Sequence, residues 1–322
     1  MKRYYRLILL CMVMVLLCGC SLTTKEPFSK TGFHFDTVIT ITLYDSKDEK
    51  ILNTCFDYCK EFENRVSRTI ENSDISMINH ANGQPIEVSN TTIELLKKGI
   101  EFGELTDGAF DITIAPLSEL WDFKNNPGNI PSGADINEAL SHVNYKNIVI
   151  EGNTVTLTDP KAAIDLGGIA KGYMADQLKK YLLNEGVTSA IINLGGNVLT
   201  IGEKPDGTSF NIGIQKPFDE QNATITSVQV KDSSVVTSGS YERYFEVNNT
   251  IYHHILNTDT GYPCDNQLLG VTILSEESID GDALSTTCFA LGLEEGQNLI
   301  KSLENIDAIF VTDDYEIIDT GD

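Results

Sequence analysis

Asp165-Leu-Gly-Gly-Ile-Ala-Lys-Gly-Tyr-Met-Ala-Asp176 opens the stretch that decides the fold, and it runs on to Ala190-Ile-Ile-Asn193. The Gly pair at 167 and 168 stands just before an amphipathic pattern that predicts one long helix over 168–185. The apolar run over 190–193 predicts a strand after it. Outward from this stretch the two periodicities keep alternating. Upstream, alternation predicts a strand over 38–43. Apolar residues at Ile51, Leu52, Cys55, Phe56, Cys59 and Phe62 predict a helix over 50–63. A second helix over 92–105 ends at the Asp107-Gly108 turn, a short one covers 136–141, and 148–150 with 155–157 flank the hairpin signal Gly152-Asn153. Downstream, strands are expected over 211–215, 225–230, 235–238, 244–247 and 253–256, helices over 282–291 and 295–303, and a closing strand over 308–312. This is an α+β pattern of mixed and antiparallel sheets with packed helices. With no repeat and no long linker, it predicts one body of two intimately joined lobes.

The chain has 322 residues, 41% of them hydrophobic and 22% charged, which excludes disorder as its main state. Lys and Arg number 23 against 47 Asp and Glu, for a formal charge of -24. A surface this acidic repels phosphodiester backbones, so sequence-independent nucleic-acid binding is excluded. The first residues carry Lys2, Arg3 and Arg6, then an apolar run over 7–18 that is too short to span a membrane. The run ends Leu17-Cys18-Gly19-Cys20, which resembles a bacterial lipobox. We expect a signal peptide over 1–19, lipidation of Cys20, a tether over 20–30 and the catalytic body over 31–322. The location follows: the cell membrane, held by a lipid on the extracytoplasmic side. Of seven cysteines, Cys55, Cys59, Cys264 and Cys288 remain beyond the leader. No zinc spacing appears, and a helical i, i+4 pair suits a disulfide poorly, so buried free thiols are expected.

Five segments carry candidate chemistry. Thr106-Asp-Gly-Ala-Phe-Asp-Ile-Thr-Ile-Ala-Pro-Leu117 sets small residues beside Asp111, which suits a ligand lying close to the backbone; a plain capped turn would look the same. The Gly-Gly entry before Lys171 offers free N–H groups and a point charge to a phosphate, and leaves the Gly168 carbonyl open to a cation, without Walker A spacing. Asn193-Leu-Gly-Gly-Asn197 is a strand entering a Gly turn, read either as close backbone approach or as a tight turn. Thr237-Ser-Gly-Ser-Tyr-Glu-Arg243 supplies hydroxyls and an Arg, and is followed by His253-His254-Ile-Leu-Asn-Thr-Asp-Thr-Gly-Tyr-Pro263. On a strand the two His would face opposite sides, one toward a site and the other exposed. Asp282 and Thr286, in Asp280-Gly-Asp282-Ala-Leu-Ser-Thr286-Thr-Cys288, share a helix face at i, i+4. Carboxylate and hydroxyl oxygens are hard ligands fit for Mg²⁺ beside a phosphate, although Asp282 could equally be a helix cap.

Taken together, these segments resemble the ApbE family, the FAD:protein FMN transferases. The resemblance runs from about Phe35 to Thr312 and includes Asn72-Ser-Asp-Ile-Ser-Met-Ile-Asn79. It implies that Ala109, Phe110 and Asp111 line an FAD site and that Asp165 and Lys171 hold the dinucleotide. It also implies that His254 lies by the transferring phosphate with Leu256 near the flavin, and that the Gly168 carbonyl, Asp282 and Thr286 bind the metal. Phe35 enters the FAD site less directly, because Phe35-Asp36-Thr37 stands where the family often has Met-Gly-Thr. The implied reaction is Mg²⁺-dependent: an acceptor Thr or Ser hydroxyl attacks the FMN phosphorus of FAD and AMP leaves, with His254 as the base. The implied acceptor carries an FMN-binding domain, as in an Rnf- or Nqr-type subunit or an extracellular electron-transfer lipoprotein. Two other readings stay open at this point: an FAD pyrophosphatase releasing FMN and AMP, and a flavin-binding lipoprotein without catalysis.

Overall fold

The computed structural model describes residues 26–125, 127–219 and 223–321. The expected signal peptide, Cys20 and the start of the tether lie outside the described residues. Eight strands form one antiparallel sheet. They are β1 (Phe28–His34), β2 (Thr37–Leu43), β6 (Ala190–Leu194), β7 (Asn197–Ile201), β10 (Ser234–Gly239), β13 (Leu268–Ser275), β14 (Asp307–Thr312) and β15 (Ile317–Asp319), in that spatial order. Three small antiparallel sheets join β3 (Ile86–Glu87), β5 (Thr154–Leu157) and β4 (Ile148–Glu151), β8 (Phe210–Gln215) with β9 (Thr224–Val230), and β11 (Tyr244–Val247) with β12 (Thr250–His253). The helices are α1 (Glu49–Val66), α2 (Asp74–Asn79), α3 (Asn90–Leu105), α4 (Ala115–Trp121), α5 (Gly133–Leu140), α6 (Ala170–Asn184), α7 (Ser278–Leu291) and α8 (Leu293–Lys301). Among the described residues, no helix is long and apolar enough to cross a membrane.

The mixed α and β body with antiparallel sheets is as expected, with local differences. Residues 28–30, expected in the tether, instead open the edge strand β1, where Phe28 pairs with Leu43. Neither β7 nor β13 shows an alternating pattern. Both lie inside the sheet with α7 packed against it, so side chains on both faces are largely covered. The strand expected over 253–256 sits earlier, as β12, because Asn248 and Asn249 at positive φ close a two-residue turn. The helix expected from residue 282 begins four residues sooner. No side chain of its own first turn caps it; instead Asp176 on α6 accepts from Ser278 N at 2.8 Å and Ile279 N at 2.9 Å.

Helix α7 is buried almost all round and fills the principal core between α6 and the sheet. A smaller core gathers Leu117, Trp121, Ile136, Phe245 and Leu256, and fixes the β11–β12 hairpin against α4 and α5. Trp121 anchors it by donating from Nε1 to Gly261 O at 2.9 Å. The four described cysteines are free and buried, and burial pushes their thiols up to about 12. Reductant is therefore expected to leave the melting temperature unchanged, and thiol reagents to modify these four only after unfolding. A clear fall in melting temperature under reductant would show that one of them is cross-linked.

Candidate functional site

The Gly-Gly entry is built by Asp165. Its Oδ1 accepts from Gly167 N at 2.8 Å, which folds the chain into the start of α6. Its Oδ2 accepts from Arg68 Nε at 2.9 Å, and Arg68 also reaches Glu119 at 3.1 Å. Just before it, Asn79 brackets the backbone of Ile164, accepting from its N at 2.7 Å and donating to its O at 2.9 Å. The early Asn72–Asn79 motif thus ends in a clamp on the site loop. Arg68 and Asn79 were not expected as site residues, since their partners lie 97 and 85 positions away.

Helices α6 and α7 meet at Gly172. A Cβ there would lie 2.3 Å from Ser278 O and 2.6 Å from Ile279 Cα, both backbone atoms that cannot swing aside. This closeness lets Gly172 N donate to Asp282 Oδ2 at 2.9 Å, while Lys171 Nζ reaches Asp282 Oδ1 at 3.3 Å and Gly167 O at 3.2 Å. Asp282 is buried and lies in the second turn of α7, so it does not cap its own helix; the cap reading holds instead across the contact, where it accepts from Gly172 N in the first turn of α6. Thr286 follows one turn on, with its hydroxyl 3.1 Å from Ser238 Oγ. A Cβ built on Gly168 would lie 3.8 Å from Thr286 Oγ1 and 3.0 Å from the Phe110 ring. The structure therefore brings Gly168, Lys171, Asp282, Thr286 and Phe110 together. Gly172→Ala is expected to cost about 1–3 kcal/mol through overpacking and to lower the melting temperature by several degrees. An unchanged melting temperature would mean that the two helices are not held this closely.

Asp111 takes the capped-turn form, one of the two readings its sequence allowed. Its carboxylate is buried and accepts from Thr113 N at 2.7 Å, Thr113 Oγ1 at 2.6 Å and Tyr145 N at 2.7 Å. Burial pushes its pKa up, while these hydrogen bonds oppose the shift. The carboxylate braces the loop, while Ala109 beside it is partly exposed. Leu256 is buried in the smaller core, a wall of hairpin packing. Phe35, at φ 55, forms a tight turn with Asp36 and donates its N–H to Glu63 Oε1 at 2.7 Å. Its ring meets Phe62, which stacks on Tyr173 of α6 at 5.6 Å. Both readings of Asn193–Asn197 hold: Gly195 and Gly196 make the β6–β7 turn, and a Cβ on Gly195 would strike Thr37 at 2.3 Å.

The two His separate by role. His253 is buried, with Nε2 2.9 Å from Cys264 O and its ring edge-on to Phe289, so it is a core residue and not the exposed one of the pair. His254 is only partly exposed, and its Nδ1 is sealed from solvent without a hydrogen-bond partner. Burial, reinforced by Arg243, His253 and Lys171, pushes its pKa down to about 3, so the ring is neutral at physiological pH. Glu242 has its carboxyl surrounded by protein. That surrounding raises its carboxyl to about 7, with Lys171 and Arg243 pulling it down and Asp282 pushing it up. A cluster of one buried carboxylate, two cations, hydroxyls and a neutral imidazole at a helix N-terminus suits phosphoryl chemistry.

Among the described residues no group of three or more His, Cys, Asp or Glu is gathered for a metal. Asp282 and Thr286 bring one carboxylate and one hydroxyl beside the Gly168 backbone. That hard, incomplete set fits Mg²⁺, which keeps waters and shares substrate phosphate oxygens, and does not suit a soft or all-protein cage.

A family model described as ApbE family matches residues 35–310. An FAD:protein FMN transferase of Klebsiella pneumoniae (strain 342) is 40% identical over 300 residues, covering 92% of this chain and 93% of that protein. One from Vibrio cholerae serotype O1 is 30% identical over 296 residues, covering 90% and 88%. The ApbE protein of Thermotoga maritima superposes with a TM-score of 0.84 at 33% identity, covering 91% of this chain and 97% of that one. The flavin transferase ApbE from Vibrio cholerae superposes with a TM-score of 0.81 at 27% identity, covering 91% and 96%.

Proposed function

The chain belongs to the ApbE family, and from this premise we infer that it is an FAD:protein FMN transferase whose reaction is run by the cluster at the α6–α7 crossing. The observation that carries the reading is the meeting of Lys171, Gly168, Asp282 and Thr286 at one helix entry, with the unpartnered Nδ1 of His254 in the same electrostatic field. FAD is the donor. An acceptor Thr or Ser hydroxyl attacks the FMN phosphorus, its oxygen–phosphorus bond forms, and the anhydride bond to the AMP oxygen breaks. His254 takes the hydroxyl proton; its ring is neutral before substrate arrives, and the anionic diphosphate, by offsetting the Arg243 and Lys171 charges, would raise its depressed pKa toward that of a working base. Lys171 and the α6 N-terminus offset the charge of the diphosphate. Phe110 covers Gly168 and keeps that side of the site dry.

Mg²⁺ held by Asp282, Thr286 and the Gly168 carbonyl would supply Lewis-acid polarisation of the diphosphate. The acceptor in this reading is an FMN-binding domain of a membrane or surface electron-transfer protein. Lipidation at Cys20 would hold the enzyme on the extracytoplasmic face of the membrane beside it. The test is to incubate the purified protein with FAD, Mg²⁺ and such a domain, then look for flavin fluorescence on the denatured acceptor. Fluorescence lost with EDTA and restored by Mg²⁺ supports the reading; FMN left free in solution would favour the pyrophosphatase.

A further inference from the structure

The β11–β12 ladder pairs Tyr244 with His253, and it continues one step beyond the strands, where His254 N donates to Arg243 O at 3.1 Å. Residues directly opposite in an antiparallel pair point their side chains to the same face, with Cβ atoms about 4.5–5.5 Å apart. Arg243 and His254 therefore leave the hairpin side by side, on the face opposite His253. The field agrees with the register: Arg243 and Lys171 both act on His254 and on Glu242. Two cations thus act on the His254 ring.

Arginine is scarce in this chain, occurring only at Arg3, Arg6, Arg65, Arg68 and Arg243. Arg68 is spent on Asp165 and Glu119, and Lys171 commits two of its three donors to Asp282 and Gly167. Arg243 is exposed, and among the described residues it makes no ion pair or side-chain hydrogen bond, although acidic residues outnumber basic ones twofold. A planar fork of donors left open beside Lys171 and His254 matches paired phosphate oxygens better than an ammonium could.

We propose that Arg243 is a phosphate-binding residue of the site, its guanidinium holding non-bridging oxygens of the donor's diphosphate together with Lys171 and staying with the AMP phosphate as it leaves. The proposal rests on the FAD-donor reading. It makes Arg243 a determinant of selectivity for dinucleotide over phosphate-free flavin.

The test measures FAD and riboflavin binding by flavin fluorescence, in EDTA and without acceptor, for the wild-type protein, Arg243→Met and Arg243→Lys. The Met variant is expected to bind FAD about tenfold or more weakly, the loss of a charge-assisted pair. The FAD-to-riboflavin preference should fall with it, the unliganded melting temperature should stay put, and the Lys variant should recover only part of the loss. Unchanged FAD affinity in Arg243→Met, or a loss accompanied by a lowered melting temperature and not improved by Lys, would overturn the proposal. A wild-type protein that binds neither flavin would overturn the donor reading itself, and the proposal with it.

Discussion

Asp282→Asn is expected to lower kcat/KM for FMN transfer by about 10³-fold or more, because several kcal/mol of charge stabilisation would go with the metal. The Asn variant is more informative than Ala. Asp282 Oδ2 accepts from Gly172 N at 2.9 Å where the two helices touch. Removing the acceptor strands that buried N–H, at about 1–3 kcal/mol, and would confuse folding with chemistry. An amide oxygen keeps the hydrogen bond and discards the negative charge. Activity should collapse while the melting temperature stays near wild type, and Mg²⁺ titration should no longer restore the rate. An Asn variant with wild-type Mg²⁺ dependence would remove Asp282 from the metal site.

His254→Gln should lower kcat by about 10²–10⁴-fold, the usual range for a lost general base, with FAD affinity changed only a few-fold. The expectation follows from the ring itself, which is neutral, is only partly exposed and lies in the field of Lys171 and Arg243. It carries a pH corollary. The folded ring has its pKa depressed to about 3, while in the unfolded chain it titrates near 6.5. As pH falls below 6.5 the unfolded chain takes up a proton that the folded ring refuses, so the wild type loses stability there. The Gln variant should lose less between pH 7 and pH 5. Equal turnover in the two proteins would end the assignment of His254 as the base, and equal pH profiles of stability would contradict its burial as a neutral ring.

What could be read ahead of the structure was what local periodicity and local chemistry encode. Spacing located α1, α3 and α6, because each packs one face inward and leaves the other in solvent. It missed β7 and β13, whose largely covered faces erase alternation. It placed the start of α7 four residues late, since the cap comes from Asp176 on another helix. At the site, the pairing of Asp282 and Thr286 on one face of α7 was legible from i, i+4 spacing, and the Gly-Gly entry from its chemistry. The contact of the Asp111 carboxylate with Tyr145, the Arg68–Asp165 pair and the core role of His253 were not. Each depends on a partner brought in by the tertiary fold.

The most direct test of transfer, as against hydrolysis or mere binding, is the molar ratio of AMP released to flavin covalently fixed on an FMN-domain acceptor. The account predicts that the two rise together and stay equal, and that both stop in EDTA. AMP accumulating with free FMN, or FAD bound with no AMP at all, would contradict it.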